Sequence, residues 1–394
     1  MENKKFKVAL FMLPLLTQGA GAEKYFIELA KNFRDKGVEA DVITMDEDFF
    51  RKFARLLHIF TRGNFFGKID ISGRERESAI RDQLGRSRWL KASYKDLGKT
   101  LRNYDVIYSK NEVVDLILLK IIGYKKLPPI VVGVHTPISY PETRSFNSKL
   151  HNCLYASFFY KWLIGGAKCV HVSNSSALRV IDKEFKLKSE LIYYPFSIRQ
   201  ILDSAKKNKC DIEFDADKKN FIFVGRLGEQ KGIDVLIKII RKISGNKVLA
   251  GKTGINIFGS GDEAYQNAIK KMAEENSFVR YFGHVEHKFM PDILSRQDLL
   301  VAPSKWETLP YVILEAQGMG LPVIAFDIPG PSDIMIDGLT GFLVKNEEEF
   351  IEKTISIVQN EVKFSREEIT KNIEKKFDPD IIYGQLLDMF EDNL

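Results

Sequence analysis

The sequence predicts an α/β protein of two doubly wound parallel sheets. Three observations predict it. Short apolar runs alternate with helix-patterned segments along the chain, as parallel sheets covered on both faces require. At 394 residues the chain exceeds one ordinary core, so two domains are expected. A polar stretch, IRQILDSAKKNKCDIEFDADKKN, separates two sets of runs and is expected to be the linker.

The first set of expected strands is FKVALFML, VEADVIT, DVIYS, PPIVVGVH, AKCVHVS and ELIYYPF. The opening MENKKFKVALFMLPLLTQGAGA also has the lysines, apolar run and small residues of a secretory signal. Its apolar run holds nine residues with a proline inside, and removing it would delete the first strand and the glycine loop after it. It is read as a strand. Next comes EKYFIELAKNFRDKG, where Tyr25, Phe26, Leu29, Ala30 and Phe33 share one helical face and Gly37 suits the stop. The second set is NFIFVGRL, INIFGSG, VRYFGHV, LLVAPS, PVIAFD and GFLV.

Composition narrows the class. Cys153, Cys169 and Cys210 are far apart, match no metal or redox spacing and suit free thiols in a reducing compartment. The longest apolar stretch, VVDLILLKIIGYKKLPPIVVGV, is broken by Asp115, Lys120, Lys125 and Lys126, so no transmembrane helix is expected. From Phe49 to Arg102 there are 14 Lys/Arg against 5 Asp/Glu, interleaved with aromatics. Such a segment fits either an anionic membrane surface or a solvated insertion. No nucleic-acid-binding signature accompanies it.

Ligands of such sheets bind outside the carboxyl ends of the strands. There the sequence carries PSKWETLPYVILEAQGMGLPVIAFD. Glu307 precedes a helix that Pro310 would open, and Glu315 lies on its side. Between them the N–H groups of the first turn favour an anion. Two carboxylates around an anion site suit hydroxyls at both ends of a diphosphate, as in a nucleotide sugar. In FVGRLGEQKG, Arg226 and Lys231 could neutralise a diphosphate leaving group without a metal. His135 ends the expected strand PPIVVGVH of the first set.

GRL-x3-KG, then PS-x-x-E-x7-EA, then GLPVIA, resembles the family-4 glycosyltransferases of the GT-B fold, two Rossmann-like domains facing a cleft. The agreement extends to QGAGAEKYF, VVGVHTP, FGSGD and PGPSDIMIDGLTGFLV. The resemblance implies an acceptor-binding domain over 1–200, with a C-terminal helix over 379–394 packing back on it, and a nucleotide-sugar-binding domain over 201–378. It implies that Arg226 and Lys231 hold the diphosphate and Glu315 the ribose hydroxyls. Glu307, assisted by the backbone near Leu309, would take the transferred sugar, with His135 near the reacting centre. Gly19, Gly21 and Gly259 would let backbone approach the donor. It also implies retention of configuration and no required metal or other cofactor. The expected acceptor is lipid-linked or a growing glycan. The expected location is cytoplasmic, peripheral to the membrane, with 49–102 facing an anionic surface. An NAD-dependent oxidoreductase, using GAGAE with Asp46 and Asp48, and a non-catalytic GT-B partner subunit are the alternatives. Asp378-Pro379-Asp380 reads as a helix cap rather than a metal-binding pair, and His284 and His287 lack metal-ligand spacing. YYPFS at Tyr193–Ser197 and Asp333 depart from the family pattern and receive no role.

Overall fold

The structure, a computed structural model, describes residues 6–12, 21–45, 88–135, 138, 146–359 and 362–394. Two compact units divide them. The first is Met1–Ile192 with Tyr383–Leu394, and the second is Tyr193–Ile382. The division falls at 192/193 rather than at the expected 200/201. The stretch expected to be a linker contains a helix, Ile198–Lys207, capped by the Ser197 side chain and burying Ile201 and Ala205. Its polar composition is that of a one-sided surface helix, and only that narrow stripe is apolar.

In the first unit seven strands are numbered in chain order. They are β1 (Lys7–Phe11), β2 (Glu39–Met45), β3 (Trp89–Ala92), β4 (Val106–Lys110), β5 (Ile130–Val134), β6 (Cys169–Val172) and β7 (Ser189–Leu191). Their order across the sheet is β3-β2-β1-β4-β5-β6-β7, and every ladder is parallel. Strands buried on both faces read as unbroken apolar runs, which is why KVALF, VIYSK and IVVGV were legible. Helix Gly21–Asp35 places Tyr25, Phe26, Leu29, Ala30 and Phe33 in the core.

β3 was not expected. It is an edge strand with one neighbour, written in the basic stretch Phe49–Arg102. The last part of that stretch is structural. Arg88 and Arg34 reach the buried Asp41 of β2 at 2.6 and 2.5 Å, and the Tyr104 hydroxyl donates to it at 2.8 Å. Burial alone would raise the Asp41 carboxyl's pKa, but Arg88, Tyr104 and Arg34 together hold it below the usual range. Asp46 and Asp48, and the stretch 49–87, lie outside the described residues.

The second unit repeats the design with β8 (Lys219–Val224), β9 (Thr253–Phe258), β10 (Val279–Gly283), β11 (Leu299–Ala302), β12 (Val323–Phe326) and β13 (Gly341–Val344). The order is β10-β9-β8-β11-β12-β13, again all parallel. Helix Ile233–Ser244 packs Leu236, Ile239, Ile240 and Ile243 against Phe221, Ile257, Val301 and Ile324. Each such side chain stabilises by about 1.5–3 kcal/mol when fully buried.

Asp378 caps the last helix, its Oδ1 accepting from the N–H groups of Asp380 and Ile381 at 2.8 and 3.2 Å. That helix, Pro379–Glu391, starts in the second unit and ends in the first. There the Tyr383 hydroxyl accepts from Asn32 at 3.0 Å, and the Phe390 ring meets Phe33 and Tyr108 at 5.8 and 5.4 Å.

Candidate functional site

Each sheet has a switch point, where the strand order reverses and neighbouring connections leave in opposite directions. These gaps lie between β1 and β4 and between β8 and β11. Open parallel sheets bind ligands at such points.

In the second unit the loops after β8 and β11 meet. The Lys305 N–H donates to the Gln230 carbonyl at 2.8 Å, and the Gln230 side chain donates to the Trp306 carbonyl at 3.1 Å. This brings together Lys231 and Glu307, whose side chains form a direct ion pair. Lys231 ends a short 3-10 turn, Glu229–Lys231, rather than opening the helix itself. The pair is largely enclosed, at 21% and 9% side-chain exposure. Arg226, at the end of β8, is exposed. Leu309 is buried beneath the segment leading into helix Tyr311–Gly318, with Pro310 at its cap position. The first N–H groups of such a helix have no partner within it. Glu315, on that helix, meets His287 Nε2 at 2.6 Å. His287 was set aside in the sequence because it lacks a metal partner; its partner is a carboxylate.

Gly259 follows β9. It has φ +129°, and a Cβ there would stand 1.9 Å from the Gly225 carbonyl oxygen. Only glycine allows the turn after β9 to approach the end of β8 this closely. Asp333 caps its own short helix by accepting from the Gly330 N–H at 3.2 Å.

The first unit holds a different cluster. His135 follows β5, and its Nε2 lies 3.0 Å from the Tyr108 hydroxyl. That hydroxyl lies 2.6 Å from Nδ1 of His171, whose Nε2 lies 2.7 Å from the Ile192 carbonyl. The tautomers follow from this chain. A carbonyl only accepts, so His171 carries its proton on Nε2. Burial pushes the His171 pKa down to about 4, so the ring is neutral and its Nδ1 accepts from Tyr108. The Tyr108 oxygen then accepts from His135 Nε2–H. Burial, followed by the neighbouring His171 and Lys110, pushes His135 well below its ordinary value. A neutral His135 with Nε2 protonated has Nδ1 as its unprotonated nitrogen. Its ring is enclosed by Tyr25 and Phe26, at 5.0 and 5.7 Å between centroids.

Gly133 makes room for this arrangement, because a Cβ there would lie 2.2 Å from the Tyr108 oxygen and 2.5 Å from His135 Nε2. Lys110, at the end of β4, is buried, and its ammonium makes no hydrogen bond. Tyr108, His171 and Lys110 were missed because they read as ordinary members of apolar strands. Gly19 lies outside the described residues, and Gly21 opens helix Gly21–Asp35. Among the described residues no group of three or more His, Cys, Asp or Glu is arranged to hold a metal ion. No helix among them is long and apolar enough to cross a membrane.

Two doubly wound units, each with polar residues gathered at its switch point, define a GT-B-type α/β protein. Comparison with known proteins gives the family. A model described as Glycosyltransferase Family 4 matches residues 19–196, and one described as Glycosyl transferases group 1 matches residues 204–376. The chain belongs to the family-4 glycosyltransferases of the GT-B fold, and it is a glycosyltransferase. It is 29% identical to an Escherichia coli UDP-Gal:alpha-D-GlcNAc-diphosphoundecaprenol alpha-1,3-galactosyltransferase, over 68% of this chain and 70% of that one. Its fold is similar to that of Anabaena HepE, solved in complex with UDP (TM-score 0.67, 18% identity, 98% of this chain and 100% of that one). It is also similar to sucrose-phosphate synthase from Thermosynechococcus elongatus (TM-score 0.71, 16% identity, 98% and 99% covered).

Proposed function

We propose that the chain transfers a hexose from a nucleotide-diphosphate sugar, UDP- or GDP-linked, to a lipid-linked or growing glycan acceptor at the cytoplasmic face of a membrane. Transfer proceeds with retention of configuration and without a metal. The observation that carries this reading is the Lys231–Glu307 ion pair at the β8/β11 switch point, beside a helix N-terminus.

As the anomeric C–O bond breaks, its electrons pass to the diphosphate. Lys231, Arg226 and the N–H groups of helix Tyr311–Gly318 stabilise that charge. Preorganised donors of this kind supply the largest single catalytic contribution in most enzymes. When Lys231 engages phosphate, Glu307 is released to accept hydrogen bonds from hydroxyls of the transferred sugar, with the backbone near Leu309. Glu315 takes the ribose hydroxyls in exchange for His287. Gly259 lets the turn after β9 lie close to the donor. His135, held neutral, is assigned a place near the reacting carbon. The names of the Escherichia coli relative and of the Anabaena complex support a uridine donor, and the former supports a diphosphate-linked lipid acceptor.

The test is thermal stability against UDP, GDP, ADP and NAD. A ligand at about 100 times its dissociation constant adds about 2.7 kcal/mol when it binds only the folded state. A shift with UDP or GDP is the expected result. A shift with NAD alone overturns the donor assignment.

A further inference from the structure

On the first unit a group of aromatic side chains stands in solvent. Helix Phe158–Ile164 buries Tyr160, Leu163 and Ile164. It turns Phe158, Phe159 and Trp162 outward, at 84%, 43% and 49% exposure. The Phe159 and Trp162 rings stack with centroids 5.9 Å apart. Helix Val113–Ile122 leaves Ile121 60% exposed. It also sends Lys120 over the Trp162 ring, 4.5 Å from its centroid, where Nζ donates to the Trp162 carbonyl at 2.7 Å. The turn Tyr124–Lys126 is fastened alongside by the Tyr124 hydroxyl, which donates to the Leu163 carbonyl at 2.8 Å. Lys125 and Lys126 are left exposed. From Leu116 to Lys168 the sequence holds seven Lys/Arg and one acidic residue, Glu142.

We infer that this face docks on an anionic lipid surface. Phe and Trp with lysines around them are the side chains of a membrane interface: the rings enter the headgroup boundary while the ammonium groups stay among lipid phosphates. A second copy of the chain fits less well. A two-fold contact sets the same patch against itself, which would bring lysine against lysine around Trp162. A protein partner would need a pocket for Phe158, whereas a bilayer takes a protruding ring without one. The inference deepens the reading of a lipid-linked acceptor by naming the surface that meets the membrane. It is tested without donor or acceptor, so its failure leaves the transfer assignment standing.

The test is co-sedimentation of the full chain with vesicles of phosphatidylcholine alone and of phosphatidylcholine mixed with phosphatidylglycerol, at low and high salt. The expected result is binding to the mixed vesicles, weakened by salt. Phe158→Ser with Trp162→Ser is expected to weaken it by roughly tenfold or more. Lys125→Gln with Lys126→Gln is expected to weaken it by roughly tenfold. All four side chains are exposed, so both variants keep the wild-type thermal midpoint; if the aromatic variant does not, the lysine variant decides. Wild-type protein that stays in solution with mixed vesicles overturns the inference, as do variants that bind like wild type. So does a dimer in light scattering that Trp162→Ser dissolves, which would make the occupant a second copy. Loss of binding only on neutralising Arg51, Lys52 and Arg55 would move the contact to the basic segment and overturn it too.

Discussion

At the carboxyl end of the first sheet the two histidines are neutral and enclosed. They are tied in one direction, from His135 through Tyr108 and His171 to the Ile192 carbonyl. At the carboxyl end of the second sheet the polar side chains are paired across loops, Lys231 with Glu307 in an ion pair and Glu315 with His287 in a hydrogen bond. The difference is one of mobility. A hydrogen-bond chain ending on a fixed carbonyl has one arrangement and holds an imidazole still. An ion pair has a second arrangement available whenever another anion meets the lysine. The first cluster is built to orient and the second to exchange partners.

The largest effect is expected at the exchangeable pair. Glu307→Ala should lower sugar transfer by about a thousandfold while nucleotide affinity, measured calorimetrically, stays within a few-fold. Transfer at the wild-type rate would remove Glu307 from the mechanism. Lys231→Met should destabilise the protein by about 3 kcal/mol in denaturant melts, because it strands a mostly enclosed carboxylate. Adding Glu307→Gln should recover most of that stability and none of the activity. If the double variant is no more stable than the single, the two side chains do not act as a pair.

The orienting cluster should answer to volume and to acid. Gly133→Ala pushes a methyl group into the Tyr108–His135 hydrogen bond and should cost about 2 kcal/mol, with a larger loss of transfer than of donor binding. Equal losses in both would argue for a purely structural position. Acid should act less strongly. His135 and His171 have folded pKa values below the ordinary 6.5, His171 at about 4. The unfolded chain therefore binds more protons between those values. The His171 contribution is full above about pH 6.5 and is lost as pH falls toward 4, and that of His135 falls in the same direction. At pH 5.5 the loss from His171 is about 1.4 kcal/mol. His171→Gln should flatten the fall in stability between pH 7.5 and 5.5 by about that amount, and an unchanged slope would mean that the ring is not held neutral.

Much of this was legible in the letters. Described strands buried on both faces, such as β1, β5 and β11, announced themselves as apolar runs, and Glu307, Glu315, Arg226 and Lys231 were marked by their place after strands. The misses have local causes. β3 has one neighbour and only four residues, set inside a basic stretch. Helix Ile198–Lys207 buries only a narrow stripe, so its composition is a linker's. His171 and Tyr108 look like fillers, because a hydrogen bond between β4 and β6 leaves no pattern along either strand. The pairing of Lys231 with Glu307 depends on β8 lying beside β11, an adjacency that sequence spacing does not encode.

The helix that returns to the first unit bears on how the chain is made. Tyr383, Leu386, Met389 and Phe390 are buried, and Phe390 packs against Tyr108 and Phe33. On the ribosome these residues emerge only after the whole second unit. The half synthesised first is therefore the half finished last, and it must wait with Phe33 uncovered while its neighbour folds. The second unit is one uninterrupted segment and carries no such delay. In topological terms it is a guest inserted near the end of its host, so a fragment spanning 193–382 should melt cooperatively by itself. A fragment ending at Ile192 should need the last helix supplied as a separate peptide before it does the same.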